Sequence, residues 1–131
     1  MKRIILGLSL FLMLVQNGFA DTSEAAYEAY AKTLEFEYDK AGVRCAIESR
    51  FHKDRANVDI CLKAVKLMKE SNNPDAKKKL PGTLIGLGNL YYSSKNYVKA
   101  YKYYMESAKL GNTGAQRNLD ILCRNHSSVC K

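Results

Sequence analysis

The chain contains no tryptophan, only two prolines and only two histidines. So little proline excludes Pro-rich and collagen-like architecture. With two histidines, His52 and His126, far apart and no Cys-x-x-Cys pair, the spacing of a zinc finger is missing. No nucleophile elbow, P-loop, His-Glu-x-x-His or dinucleotide fingerprint occurs. No low-complexity run occurs, and 47% hydrophobic residues against 26% charged is enough apolar material to exclude intrinsic disorder as the main state. Among the aromatics, nine tyrosines outnumber four phenylalanines, so most rings carry a polar tip.

Only one long apolar run is present, at the start. Met1-Lys2-Arg3 is basic, Ile4 to Val15 is almost continuously apolar, and small residues stand at Gly18 and Ala20. That order is expected of a secretory signal peptide covering 1–20, with Asp21 as the first mature residue. Twelve helical residues would span only about 18 Å, well short of a ~30 Å bilayer core. The expectation is therefore a cleavable leader, a mature chain 21–131 with no stable membrane insertion, and a periplasmic location, full secretion being the other outcome.

Export changes the reading of Cys45, Cys61, Cys123 and Cys130. An even count in a small exported domain points to disulfides rather than a metal or a catalytic thiol. Of three connectivities, Cys45–Cys61 with Cys123–Cys130 closes the shortest loops and is preferred. The formal net charge is +8, two of these charges belonging to Lys2 and Arg3. A positive balance favours acidic partners. The one dense basic run, Lys77-Lys78-Lys79, reads as a solvated loop, and export argues against nucleic acid.

The rest of the chain has helical spacing and no convincing strand. Asp21 to Glu24 reads as a helix start, followed by a helix over 25–40. Gly42 is expected to interrupt it. Val43, Ile47 and Phe51 suggest a second helix ending near His52. A third covers 57–71, stopped at Pro74, and 74–81 reads as a loop. A fourth helix covers 83–92. Asn96 caps a fifth that ends at Gly111, and Asn112 or Thr113 caps a sixth. A short loop from Cys123 to Cys130 closes the chain. The expected fold is all-α, with antiparallel helix-turn-helix repeats forming a short, disulfide-stabilised solenoid of about six helices. Glu35, Glu37 and Asp39 read as a solvated acidic stretch, since alternate positions do not share a helix face. Tyr97, Tyr101 and Tyr104 read as core packing.

Self-similarity supports the repeat. Leu62-Lys63-Ala64 returns thirty-six residues later as Val98-Lys99-Ala100, a period suited to helix-turn-helix solenoids. The second unit carries Leu87-Gly88-x-x-Tyr91, Lys99-Ala100-x-x-Tyr103 and Ser107-Ala108-x-x-Gly111, then Asn112-x-x-Ala115-Gln116. These residues resemble the Sel-one-like repeat, a relative of the tetratricopeptide repeat, over roughly 41–122. The turn between Tyr91 and Ala100 is shorter than that family's norm, and the first unit has Glu48 where glycine is expected.

The resemblance implies a protein-binding scaffold, and the missing catalytic and dinucleotide motifs lead to the expectation of neither catalysis nor a cofactor. Small exported members are similar to immunity proteins that occlude type VI secretion effectors, commonly phospholipases. The alternative is a periplasmic or secreted adaptor or regulator that binds envelope or host proteins. The first helix of each unit would face a concave surface. On that basis Asn89, Tyr92, Lys95, Arg117 and Arg124 are the candidate partner-binding residues, and a homodimer could cover the exposed end.

Overall fold

The computed structural model describes residues 23–54 and 56–131. The leader expected over 1–20 lies outside the described residues. Among the described residues, six α-helices and one short 3-10 helix follow in order: α1 (Glu24–Ala31), α2 (Glu37–Phe51), α3 (Val58–Glu70), α4 (Pro74–Ser93), α5 (Tyr97–Lys109), α6 (Thr113–Asn125) and the 3-10 turn Ser127–Cys130. No strand occurs among the described residues. The fold is all-α, as expected.

The helix starts follow local chemistry. Ser23, Asn57, Asn73, Asn96 and Asn112 each accept a backbone N–H from the first turn of the helix that follows. Such caps satisfy donors that have no partner inside the helix. Gly111 sits at φ +91°, turning the chain from α5 into α6.

Three expectations need correction. The helix expected over 25–40 is two helices. Thr33 turns its hydroxyl and its N–H back onto the carbonyl of Tyr30, which ends α1. Gly42 does not interrupt anything; it lies inside α2, where an added Cβ would fall 2.7 Å from the Met68 methyl. The loop expected over 74–81 is helical, so α4 runs for 20 residues. Pro74 occupies the first turn, where its missing N–H costs nothing. Pro81 is tolerated inside the helix, and its own carbonyl accepts a hydrogen bond from the Ser107 hydroxyl of α5 at 2.7 Å. The helix continues past Pro81 while packed against α2, α3 and α5.

Consecutive helices pack as antiparallel pairs, α2 on α3 and α4 on α5, with α2 also lying against α4 and α6 against α5. The core runs through these contacts, with Ala64, Leu84, Leu87, Ala100 and Leu122 fully buried. Ala64 and Ala100, thirty-six residues apart, are both completely buried. Gly88 lets α5 approach so closely that a Cβ there would meet the Tyr104 ring at 2.5 Å. Tyr91 and Tyr103 stack with ring centroids 5.5 Å apart.

Two disulfides brace this small core, with the pairing preferred from loop length. Cys45–Cys61 joins α2 to α3 and is buried, while Cys123–Cys130 ties the 3-10 turn to α6 at the surface. No described helix is long and apolar enough to cross a membrane.

Candidate functional site: a concave groove

A groove of about 970 Å³ is lined by α1, α2, α4 and α6, with Tyr104 of α5 reaching its floor. Its middle is shallow in side chain. Gly42 and Ala46 of α2 face Gly82 and Gly86 of α4, and the Cβ position of Gly86 lies 3.5 Å from the Ser49 hydroxyl. The open space lies over Gly82, where an added Cβ would meet nothing within 4 Å, while Gly42 packs on Met68 and Gly86 on Ser49 and Cys45. Tyr27, Tyr30 and Leu34 on one side, with Ile85 and Tyr92 on α4, supply apolar and aromatic wall.

The floor holds an ordered amide. Asn89 Oδ1 accepts from the Tyr104 hydroxyl at 2.7 Å and from Asn118 Nδ2 at 3.0 Å. In this arrangement both partners lie on the oxygen of the Asn89 amide. Its nitrogen donates to no described group, so two N–H donors are left for a group entering the groove. Burial pushes the Tyr104 hydroxyl up to about 12, so it stays protonated and keeps donating.

One end of the groove is closed by charge. Lys79 of α4 pairs with Asp39 of α2 at 2.5 Å and with Asp75 at 2.7 Å. Burial works to lower the Lys79 ammonium, but the hydrogen bonds to Asp39 and Asp75 outweigh it and leave it raised. The same contact with Lys79 holds the Asp75 carboxyl below its usual range. Tyr38 adds its hydroxyl to Asp75 at 3.3 Å. This network corrects two sequence expectations. Asp39 is buried and paired rather than solvated, and 77–79 is a helical segment rather than a loop. Lys77 reaches instead to the carbonyls of Met68 and Lys69 at the end of α3.

The other end carries Arg50 and Lys53. The Arg50 guanidinium lies over the Tyr27 ring of α1, 5.4 Å from its centroid, and also bonds the Tyr27 hydroxyl. Helix α1 is held further by His52, whose Nε2 lies 2.8 Å from Glu24 and whose Nδ1 lies 3.0 Å from Glu48. Glu48 accepts the Asn57 N–H with its other oxygen at 2.8 Å. The hydrogen bond to Glu48 does most to raise the His52 pKa, with Glu24 adding to it against desolvation. Glu48 therefore serves the junction between α1, α2 and the start of α3.

Of the five sequence candidates, Asn89 and Tyr92 line the groove; Lys95, Arg117 and Arg124 do not. Lys95 sits in the α4–α5 turn at φ 63°, and Arg117 and Arg124 are exposed on α6. The groove also holds Arg50, Lys53 and Asn118, which no motif marks, and Lys78, from the run expected to be a solvated loop. Only Lys78 had a signal in register: residues 78, 82, 85, 89 and 92 of α4 recur at helical spacing on the groove face. Tyr97, expected in the core, is half-buried and stacks on His126 beside Tyr92. Tyr104 is buried as expected. Among the described residues, no group of three or more His, Cys, Asp or Glu is placed to hold a metal ion. No protein-family model matches the chain, and no solved structure matches it.

Proposed function

We propose that this is an exported repeat protein of the Sel-one-like kind that binds a segment of another protein in its concave groove. We infer further that it acts as an immunity protein, occluding a secreted antibacterial effector of the phospholipase type. The observation that carries the binding reading is the groove itself: open, lined by small residues, and furnished with aromatic walls, an oriented amide and unpaired cations. Pockets that bind protein segments combine such apolar surface with a few placed polar groups. The immunity reading rests on the leader-like start, the two disulfides and the repeat pattern of the second unit. Occlusion requires only that the partner's substrate entrance be blocked, so the chain need supply no chemistry.

The test is capture followed by rescue. Oxidised protein is used to retain partners from the producing cell's lysate and secreted fraction, and the retained partner is expressed in a sensitive cell. Co-expression of this chain is expected to restore growth. Absence of protection against every retained partner would count against immunity, and retention of envelope assembly factors would favour the adaptor reading.

A further inference from the structure

The binding role proposed above leaves the chemistry of the bound segment open, and the placement of charge in the groove defines it. Four cationic side chains line the groove, Arg50, Lys53, Lys78 and Lys79, against one carboxylate, Asp39. Asp39 is already paired with Lys79. Arg50, Lys53 and Lys78 form no ion pair with any described residue.

These cations stand at opposite ends. Asp39 meets Lys79, and further along α2 Cys45 and Ser49 meet Gly86, so α2 and α4 run in the same direction along the groove. Lys78 therefore lies at the end where both helices begin. Arg50 and Lys53 lie where α2 ends. Eleven helical residues separate Asp39 from Arg50, which at 1.5 Å each is about 17 Å. Between the two ends the lining is neutral: Val43, Ala46, Gly82, Ile85 and Gly86, then Asn89.

The geometry points to an acidic, extended segment of a protein partner, with carboxylates on either side of a short apolar stretch. At about 3.3 Å per extended residue, a 17 Å span corresponds to carboxylates roughly five residues apart. The apolar stretch lies over Ala46 and Gly86 against Ile85, and a backbone carbonyl of the segment accepts from Asn89 Nδ2. Charge at both ends with none between also sets the register, because a shifted segment would place a carboxylate over the neutral middle. This inference rests on the binding role of the groove and adds to it the class of sequence bound.

The experiment is a selection from a displayed library of random twelve-residue peptides on the purified, oxidised protein, followed by fluorescence anisotropy of the selected peptides. Selected sequences are expected to carry two acidic positions four to six residues apart around apolar residues. Replacing both acids by Gln is expected to weaken binding at least tenfold, as is the double variant Lys53→Glu with Lys78→Glu. Both lysines are exposed, so that variant keeps the core intact. Exchanging the peptide's acids for Lys is expected to restore its binding to that variant. Neutral or basic peptides whose affinity ignores both charge changes would overturn the acidic assignment. Gly82→Trp separates that failure from failure of the groove itself, because an added Cβ at Gly82 meets nothing within 4 Å. Neutral peptides that lose binding to Gly82→Trp would leave the groove reading standing without its acidic occupant. An empty selection, or peptides that bind Gly82→Trp unchanged, would overturn both.

Discussion

At the residue scale, identical residue types do opposite work according to what they face. Gly88 and Gly82 both lie in α4 with ordinary helical backbone. A methyl at Gly88 would collide with the rigid ring of Tyr104, whereas one at Gly82 would point into open space. Gly88→Ala is expected to destabilise by about 1–3 kcal/mol through overpacking. Gly82→Ala is expected to stabilise by roughly 0.5–1 kcal/mol, since alanine is the better helix former. Urea denaturation of the two variants checks both signs, and equal effects would contradict the packing described. The close approach at Gly88 was legible in the repeat pattern. The roles of Asp39 and Lys79 were not, because a charge in a sequence reads as solvated until a second helix brings its counter-charge. Asn89 was named for its helix face alone; its orientation depends on Tyr104 and Asn118, which only tertiary packing places beside it.

At the element scale, boundaries were legible where side chains cap and illegible where tertiary contacts decide. Asn96 and Asn112 cap α5 and α6 as their sequence positions indicated. The break after Ala31 coincides with a threonine turning back onto its own chain, and α4 runs on through Pro81 while packed against α2, α3 and α5. Helix α1 packs mainly on α2. Its attachment through His52 makes it sensitive to pH. The His52 pKa is raised in the folded chain, so the attachment is fully formed below the unfolded value near 6.5 and is lost as pH rises through the folded value. The charged groups facing the ring are Glu24 from α1 and Glu48 from α2. Amide exchange at Ala26 to Ala31, corrected for intrinsic rate, is expected to accelerate between pH 6 and 9. In His52→Gln the acceleration is expected to vanish, leaving these amides weakly protected throughout. Protection that stays constant across that range in the parent chain would show that α1 is held by its tyrosine contacts alone.

At the scale of the whole molecule, two bridges of different accessibility hold a short solenoid together. Buried Cys45–Cys61 closes 16 residues between α2 and α3, which loop entropy values at about 3 kcal/mol. Cys123–Cys130 closes only 7 at a partly exposed end. Under mild reductant at neutral pH, Cys123 and Cys130 are expected to become alkylated first, with the helical core intact. Cys45 and Cys61 are expected to react only on global unfolding; simultaneous labelling would contradict their burial. The fold class and the cysteine pairing could be read from periodicity, repeat and loop length. The groove could be anticipated only as a face, because its ends are set by charges that sit far apart in the chain and by an extra helix outside the repeat. The groove is the surface proposed to hold the partner. Calorimetric titration of the captured partner into the parent protein and into Gly82→Trp tests it most directly. Loss of at least tenfold in affinity, with the variant's helicity and melting unchanged, is the result expected; equal affinity for both proteins would place the partner elsewhere and contradict the account.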